Sequence, residues 1–97
     1  MQQIKKRGLS SRLNIATYAN FGFTDTLGTA CGIAPFLYLY RNSIGRDFFY
    51  ATLLAEDEDF TILAPAGYYS EFDITQGGII SRYWNGTAFV GAPEFCG

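Results

Sequence analysis

Histidine is absent from this chain of 97 residues. Its absence removes the commonest general base and, with it, the Ser-His and Cys-His arrangements of nucleophilic catalysis. It also leaves Cys31 and Cys96, the only cysteines, without the partners that complete a zinc site. The glycines form neither GxGxxG nor GxxxxGK[ST], so no phosphate-cradling loop is present. No apolar run approaches the roughly 18 residues of a membrane span. Separated carboxylates can cleave a glycosidic bond, but here they fall in a turn run and loops, in a chain with little room for a cleft. No catalytic, cofactor-binding or metal-ligating set is therefore assigned, and the chain is expected not to be an enzyme.

Positive charge is scarce outside one end. Lys5, Lys6, Arg7 and Arg12 precede any acid; from Asp25 onward nine acids face three bases, Arg41, Arg46 and Arg82. A basic arm over residues 1–12 thus precedes an acidic body. Four cations without interleaved aromatics are a poor nucleic-acid footprint, so a docking arm on a protein neighbour or a solvated tail is preferred. The arm has no apolar stretch behind its charges, and no ordinary secretory signal peptide is expected.

What is plentiful is aromatic: nine Phe, seven Tyr and one Trp, with eleven Gly. That balance favours turns and half-buried strands over helices, and no segment keeps a 3.6-residue period over ten positions. Strands are expected over Arg12–Phe23, Ile33–Tyr40, Phe60–Leu63, Tyr68–Phe72 and Ile79–Trp84; Phe48–Ala55 reads as a strand or a helical turn, the strand being preferred because the segment is short and aromatics lead it. In Ile33–Tyr40, Phe36, Tyr38 and Tyr40 take one face, Leu37 and Leu39 the other. Arg41–Asp47 reads as a turn region. Gly67 is placed to take a positive φ before Tyr68. The Asn85-Gly86 pair predicts a two-residue type I′ turn, setting Trp84 opposite Thr87, Tyr83 opposite Ala88 and Arg82 opposite Phe89. Ile80, Arg82, Trp84, Thr87 and Phe89 would then share a face, with Arg82 stacked on a ring. The fold class is all-β, a small antiparallel sandwich or barrel-like module over residues 13–97 behind an extended N-terminal arm.

Three features have both a structural and a functional reading. The acids Glu56 to Asp59 suit a calcium ion by chemistry, or form a solvated hairpin turn; without EF-hand spacing the turn is preferred. Asn85-Gly86-Thr87 matches a glycosylation sequon and equally a tight hairpin, which is preferred. Tyr68, Tyr69, Tyr83 and Trp84 could stack on a surface glycan or fill the core of a thin domain. Cys31 and Cys96 are either two buried thiols or one disulfide enclosing nearly the whole body.

The segments Ala64-Pro65-Ala66-Gly67-Tyr68-Tyr69-Ser70 and Tyr83-Trp84-Asn85-Gly86, bracketed by Cys31 and Cys96 and with Thr52-Leu53, Asp57 and Thr61 between, resemble short modules found in large surface proteins of Bacteroidota and in structural proteins of their phages. A weaker likeness is to aromatic hairpins at the ends of actinobacterial membrane proteins. The first resemblance implies a β unit of an appendage. Standing alone behind a basic arm, such a unit implies a separately made subunit of a larger particle, a homo-oligomer among protein partners. It would be made in the cytoplasm and found on a virion or extracellular particle after lysis. A glycan-binding adhesion module is the alternative it leaves.

Overall fold

The period-two patterning of the aromatic segments becomes strands in the computed structural model, which describes residues 16–26, 28–43 and 48–96. There are six: β1 (Thr17–Thr24), β2 (Leu37–Arg41), β3 (Leu54–Ala55), β4 (Gly67–Asp73), β5 (Gly78–Trp84) and β6 (Phe89–Phe95). They form one antiparallel sheet in the order β3-β2-β1-β4-β5-β6, curled into a half-barrel. No α-helix occurs among the described residues. The all-β expectation holds, in its barrel-like form. The arm lies outside the described residues, so the strand expected from Arg12 is seen from Thr17 onward.

Directly paired residues share a face of a sheet, which lets the register sort the side chains. The pairs Phe21↔Leu37, Ala19↔Leu39, Tyr69↔Arg82, Glu71↔Ile80 and Gly67↔Trp84 point into the curl. There Phe21, Leu39, Leu54, Tyr69, Ile80 and Trp84 close the core with Phe48, Ala51 and Ala64. Its rings meet edge-on or tilted: Phe21 on Phe48 at 5.2 Å, Phe23 on Tyr69 at 4.8 Å, Trp84 on Phe89 at 4.9 Å. Such offset contacts suit the ring quadrupole.

The two halves of the aromatic signature are joined through this core. Trp84 Nε1–H donates to the Ala64 carbonyl at 2.9 Å, and the Tyr69 hydroxyl to the Pro65 carbonyl at 2.7 Å. Both carbonyls lie outside the named strands, and both ring donors need an acceptor once buried. Gly67, opposite Trp84, takes φ 157°, and a Cβ there would enter the Phe23 ring.

Four places depart from expectation. Phe48–Ala55 is not a continuous strand: Phe48–Tyr50 is a 3-10 turn, and only Leu54–Ala55 pairs in the sheet. Side chains have taken the backbone donors and acceptors that a ladder would use. Asn42 Oδ1 accepts from Thr52 N–H and Leu53 N–H, Asp73 Oδ2 from Phe49 N–H, and Arg82 Nη1 donates to the Phe48 and Ala51 carbonyls. Phe60–Leu63 contributes a single bridge, Ala55↔Leu63, rather than a strand. Arg41, assigned to a turn region, ends β2 and is fully buried.

The hairpin after Trp84 is the fourth departure. Trp84 pairs with Phe89 and Tyr83 with Val90, so the loop is Asn85–Ala88 rather than Asn85-Gly86 alone. Asn85 Oδ1 accepts from Thr87 N–H, the Thr87 hydroxyl and Ala88 N–H, while Asn85 N–H donates to the Ala88 carbonyl. The amide's three acceptor bonds outweigh the preference for a primed two-residue turn. Thr87 is thereby left exposed, away from the shared face. Ile80, Arg82, Trp84 and Phe89 keep that face, and the Arg82 guanidinium lies 4.0 Å over the Phe89 ring.

Candidate interaction surfaces

Cys31 and Cys96 form a disulfide, with Cα atoms 5.4 Å apart and 65 residues of sequence separation. What it pins is the connection from β1 to β2. A neighbouring antiparallel pair needs only a short hairpin, yet this connection leaves β1 after Thr24 and crosses the outer face before β2 begins. Ala30 N–H donates to Ser81 Oγ at 2.9 Å, and Phe36 N–H returns to the Phe21 carbonyl at 3.0 Å. The strap runs over three directly paired small residues, Gly22, Ser70 and Ser81. A Cβ on Gly22 would stand 2.5 Å from Ser70 Oγ and 2.6 Å from the Ile33 carbonyl oxygen. The row is therefore a channel sized for a backbone.

On either side of the strap the outer face carries exposed aromatic and aliphatic groups. Beyond it lie Phe72 and Ile79, with a shallow depression of about 330 Å³ lined by Phe72, Gly78, Ile79 and Cys96. On β1 and β2, Tyr18 stacks on Tyr38 at 5.2 Å and meets Tyr40 in a tilted contact at 4.7 Å. Tyr18 and Tyr38 are 59% and 55% exposed, which for such large side chains marks an unpartnered surface.

The residues singled out for glycan contact are placed differently. Tyr69 and Trp84 are fully buried, and contact with a ligand would require opening the core. Tyr68 and Tyr83 are half-buried and packed on each other at 4.8 Å. Exposed tyrosines lie elsewhere: Tyr18 and Tyr38 on β1 and β2, and Tyr50 in the 3-10 turn. The signal on β2 was the alternation of Tyr38 and Tyr40 with Leu37 and Leu39. The arm cations Lys5, Lys6, Arg7 and Arg12 lie outside the described residues.

Charge is distributed asymmetrically between interior and surface. Asp25, Glu56, Glu58, Asp59 and Glu94 are exposed, whereas among the described residues no lysine or arginine is. Arg41 is buried against Glu71, with Nε 2.6 Å from Oε1 and Nη2 2.7 Å from Oε2; its Nη1 donates to the Ser43 carbonyl and hydroxyl. Arg82 is half-buried over carbonyls and rings, and burial lowers the pKa of its guanidinium. The Tyr69 phenol is pushed up by burial, with Glu56 adding to the effect. In the acidic turn, Asp57 accepts from the Thr61 hydroxyl and amide and from Ile62 N–H, and these bonds hold its carboxyl below the usual carboxylate range.

Asp73 is a second buried acid, beside Glu71, with a structural task. Its carboxylate accepts from Phe49 N–H, Thr75 N–H, the Thr75 hydroxyl and Gln76 N–H, and so fixes both the 3-10 turn and the β4–β5 turn. Burial pushes its pKa up, but the bonds from Thr75, Phe49 and Gln76 outweigh it and leave the value below the ordinary 3.8. A lowered folded-state pKa means the contribution is present above the unfolded value and lost as pH falls through the folded one. Asp73→Asn is expected to cost about 1–3 kcal/mol near pH 7, because an amide cannot accept at both ends. Urea melts should show the gap to the parent narrowing as pH falls below the ordinary carboxylate value.

β1 and β4 pair only over Gly22–Thr24. Toward the start of β1 a cleft of about 590 Å³ opens between the strands, with Tyr18 and Asn20 on one side, Ile74 on the other and Arg41 and Glu71 at its base. The Asn20 Oδ1 atom is buried and has no hydrogen-bond partner. No family model, curated protein or solved structure matches this chain.

Proposed function

We propose that this chain is a non-enzymatic structural subunit of a phage particle or similar extracellular assembly, such as a head-decoration, fibre or tail-attachment protein. The observation that carries the reading is the exposed apolar end of the outer face, Phe72 and Ile79, where a thin domain presents to solvent side chains that its own core does not use. Patches of this kind mark protein contacts. The disulfide supports a working place outside a reducing cytosol. The resemblance of the segments Ala64–Ser70 and Tyr83–Gly86 to modules of surface and phage structural proteins supports the kind of assembly. In this reading residues 1–12 dock on an acidic neighbour, and the apolar end packs against a second copy or another subunit.

Two measurements test it together. Native mass spectrometry of the purified full chain is expected to show a homo-oligomer that Phe72→Glu dissociates, with the disulfide intact. Peptides of the chain are expected in purified particles from the producing culture. A monomer in solution that is also missing from particles overturns the proposal.

A further inference from the structure

We infer that the cleft beside the β1–β2 tyrosines binds a neutral sugar residue, an activity separate from the assembly role. Three features converge on that chemistry. The stack of Tyr18, Tyr38 and Tyr40 is held on two paired strands, so its rings are oriented before any ligand arrives. Tyrosines give an apolar ring for the C–H face of a pyranose and a hydroxyl at the rim for its polar edge, a combination that leucine or isoleucine would not supply.

The second feature is Asn20, the direct partner of Tyr38 on the same face. Its buried Oδ1 has no donor, and leaving an acceptor so placed costs free energy that a ligand hydroxyl would recover. The third is the cleft itself, whose volume of about 590 Å³ falls in the range of small-ligand sites. Arg41 and Glu71 at its base bond each other and make the floor polar.

The charge of the ligand follows from the surrounding surface. With exposed carboxylates and no exposed lysine or arginine among the described residues, the body repels an anionic sugar. The assigned ligand is uncharged: its ring stacks on Tyr18, the cleft-lining ring that Tyr38 backs, and one hydroxyl donates to Asn20 Oδ1 as the amide turns toward the cleft that Asn20 lines.

The test is a titration of the isotope-labelled full chain, followed by backbone amide shifts, with methyl α-mannopyranoside, methyl β-galactopyranoside and N-acetylglucosamine. N-acetylneuraminic acid serves as the anionic comparison. At least one neutral sugar is expected to give saturable shifts at Tyr18, Asn20 and Tyr38 with a Kd of about 1–10 mM, as suits a single stacked ring. Tyr38→Ala should weaken binding about fivefold or more, and Tyr38→Phe should retain most of it. Asn20→Ala should weaken it without shifting the thermal midpoint downward. Failure of all three neutral sugars to saturate overturns the inference, as does binding that survives Tyr18→Ala and Tyr38→Ala together, or equal binding of N-acetylneuraminic acid. None of these outcomes bears on the oligomer or particle measurements, so the two proposals fail separately.

Discussion

Replacing Cys31 and Cys96 with serine is expected to lower the unfolding free energy by about 4 kcal/mol, the chain-entropy value for a closed loop of this length. The bond spans 65 positions and so restrains nearly all of the described body in the unfolded state. A domain of this size holds only about 5–15 kcal/mol in total, so the loss is a large share of its stability. Urea unfolding of the parent with and without reductant, alongside the double serine variant, measures it. The reduced parent and the variant should share one midpoint.

The loss should also be uneven in space. The strap lies in its channel by a bond from Ala30 to Ser81 and by the tether at Cys31. Without the tether, amide exchange at Ala30 should quicken more than at core positions such as Tyr69 or Ile80, because the strap can lift without opening the sheet. A drop below about 1 kcal/mol would mean that the unfolded chain keeps the two ends close without the bond.

The strands with clear period-two alternation were legible in sequence: Tyr68–Phe72 and Ile79–Trp84 appear as expected within one or two residues. Legible too was the split of Tyr38 and Tyr40 from Leu37 and Leu39, which follows from alternation alone. What escaped was decided by side chains far apart in the chain. The 3-10 turn at Phe48 depends on Asp73 and Arg82, and the irregular 51–53 stretch on Asn42. No local pattern in Phe48–Ala55 encodes those partners. The Asn85 loop was missed for a nearer reason: Asn-Gly favours a primed turn by backbone conformation, but the amide can collect three donors only in the longer loop. The channel under the strap left a trace that pattern reading passed over. Gly22, Ser70 and Ser81 are the small residues interrupting aromatic strands, and only the register aligns them into a row.

Arg41 and Glu71 were hidden in the same way, thirty positions apart, and they support the second large prediction. Each is the other's bidentate partner in a site where their side chains are 1% and 9% exposed. Glu71→Leu or Arg41→Met is expected to cost about 3–5 kcal/mol, because the remaining charge keeps its desolvation penalty and loses its bidentate partner. Arg41→Met with Glu71→Leu should recover most of that loss, since two apolar side chains suit the curl that also holds Leu39 and Leu54. Arg41→Lys should fall between, keeping the charge but not the fork that bonds both Glu71 oxygens. A double-mutant cycle in urea, with the disulfide intact throughout, measures the coupling. A single-variant cost below about 1 kcal/mol would show that water entering by the cleft solvates the remaining charge, and the pair would then be a cleft floor rather than a fixed point of the fold. A large coupling makes it the joint between β2 and β4 where β1 and β4 have parted, holding the sheet in its curl across the opening.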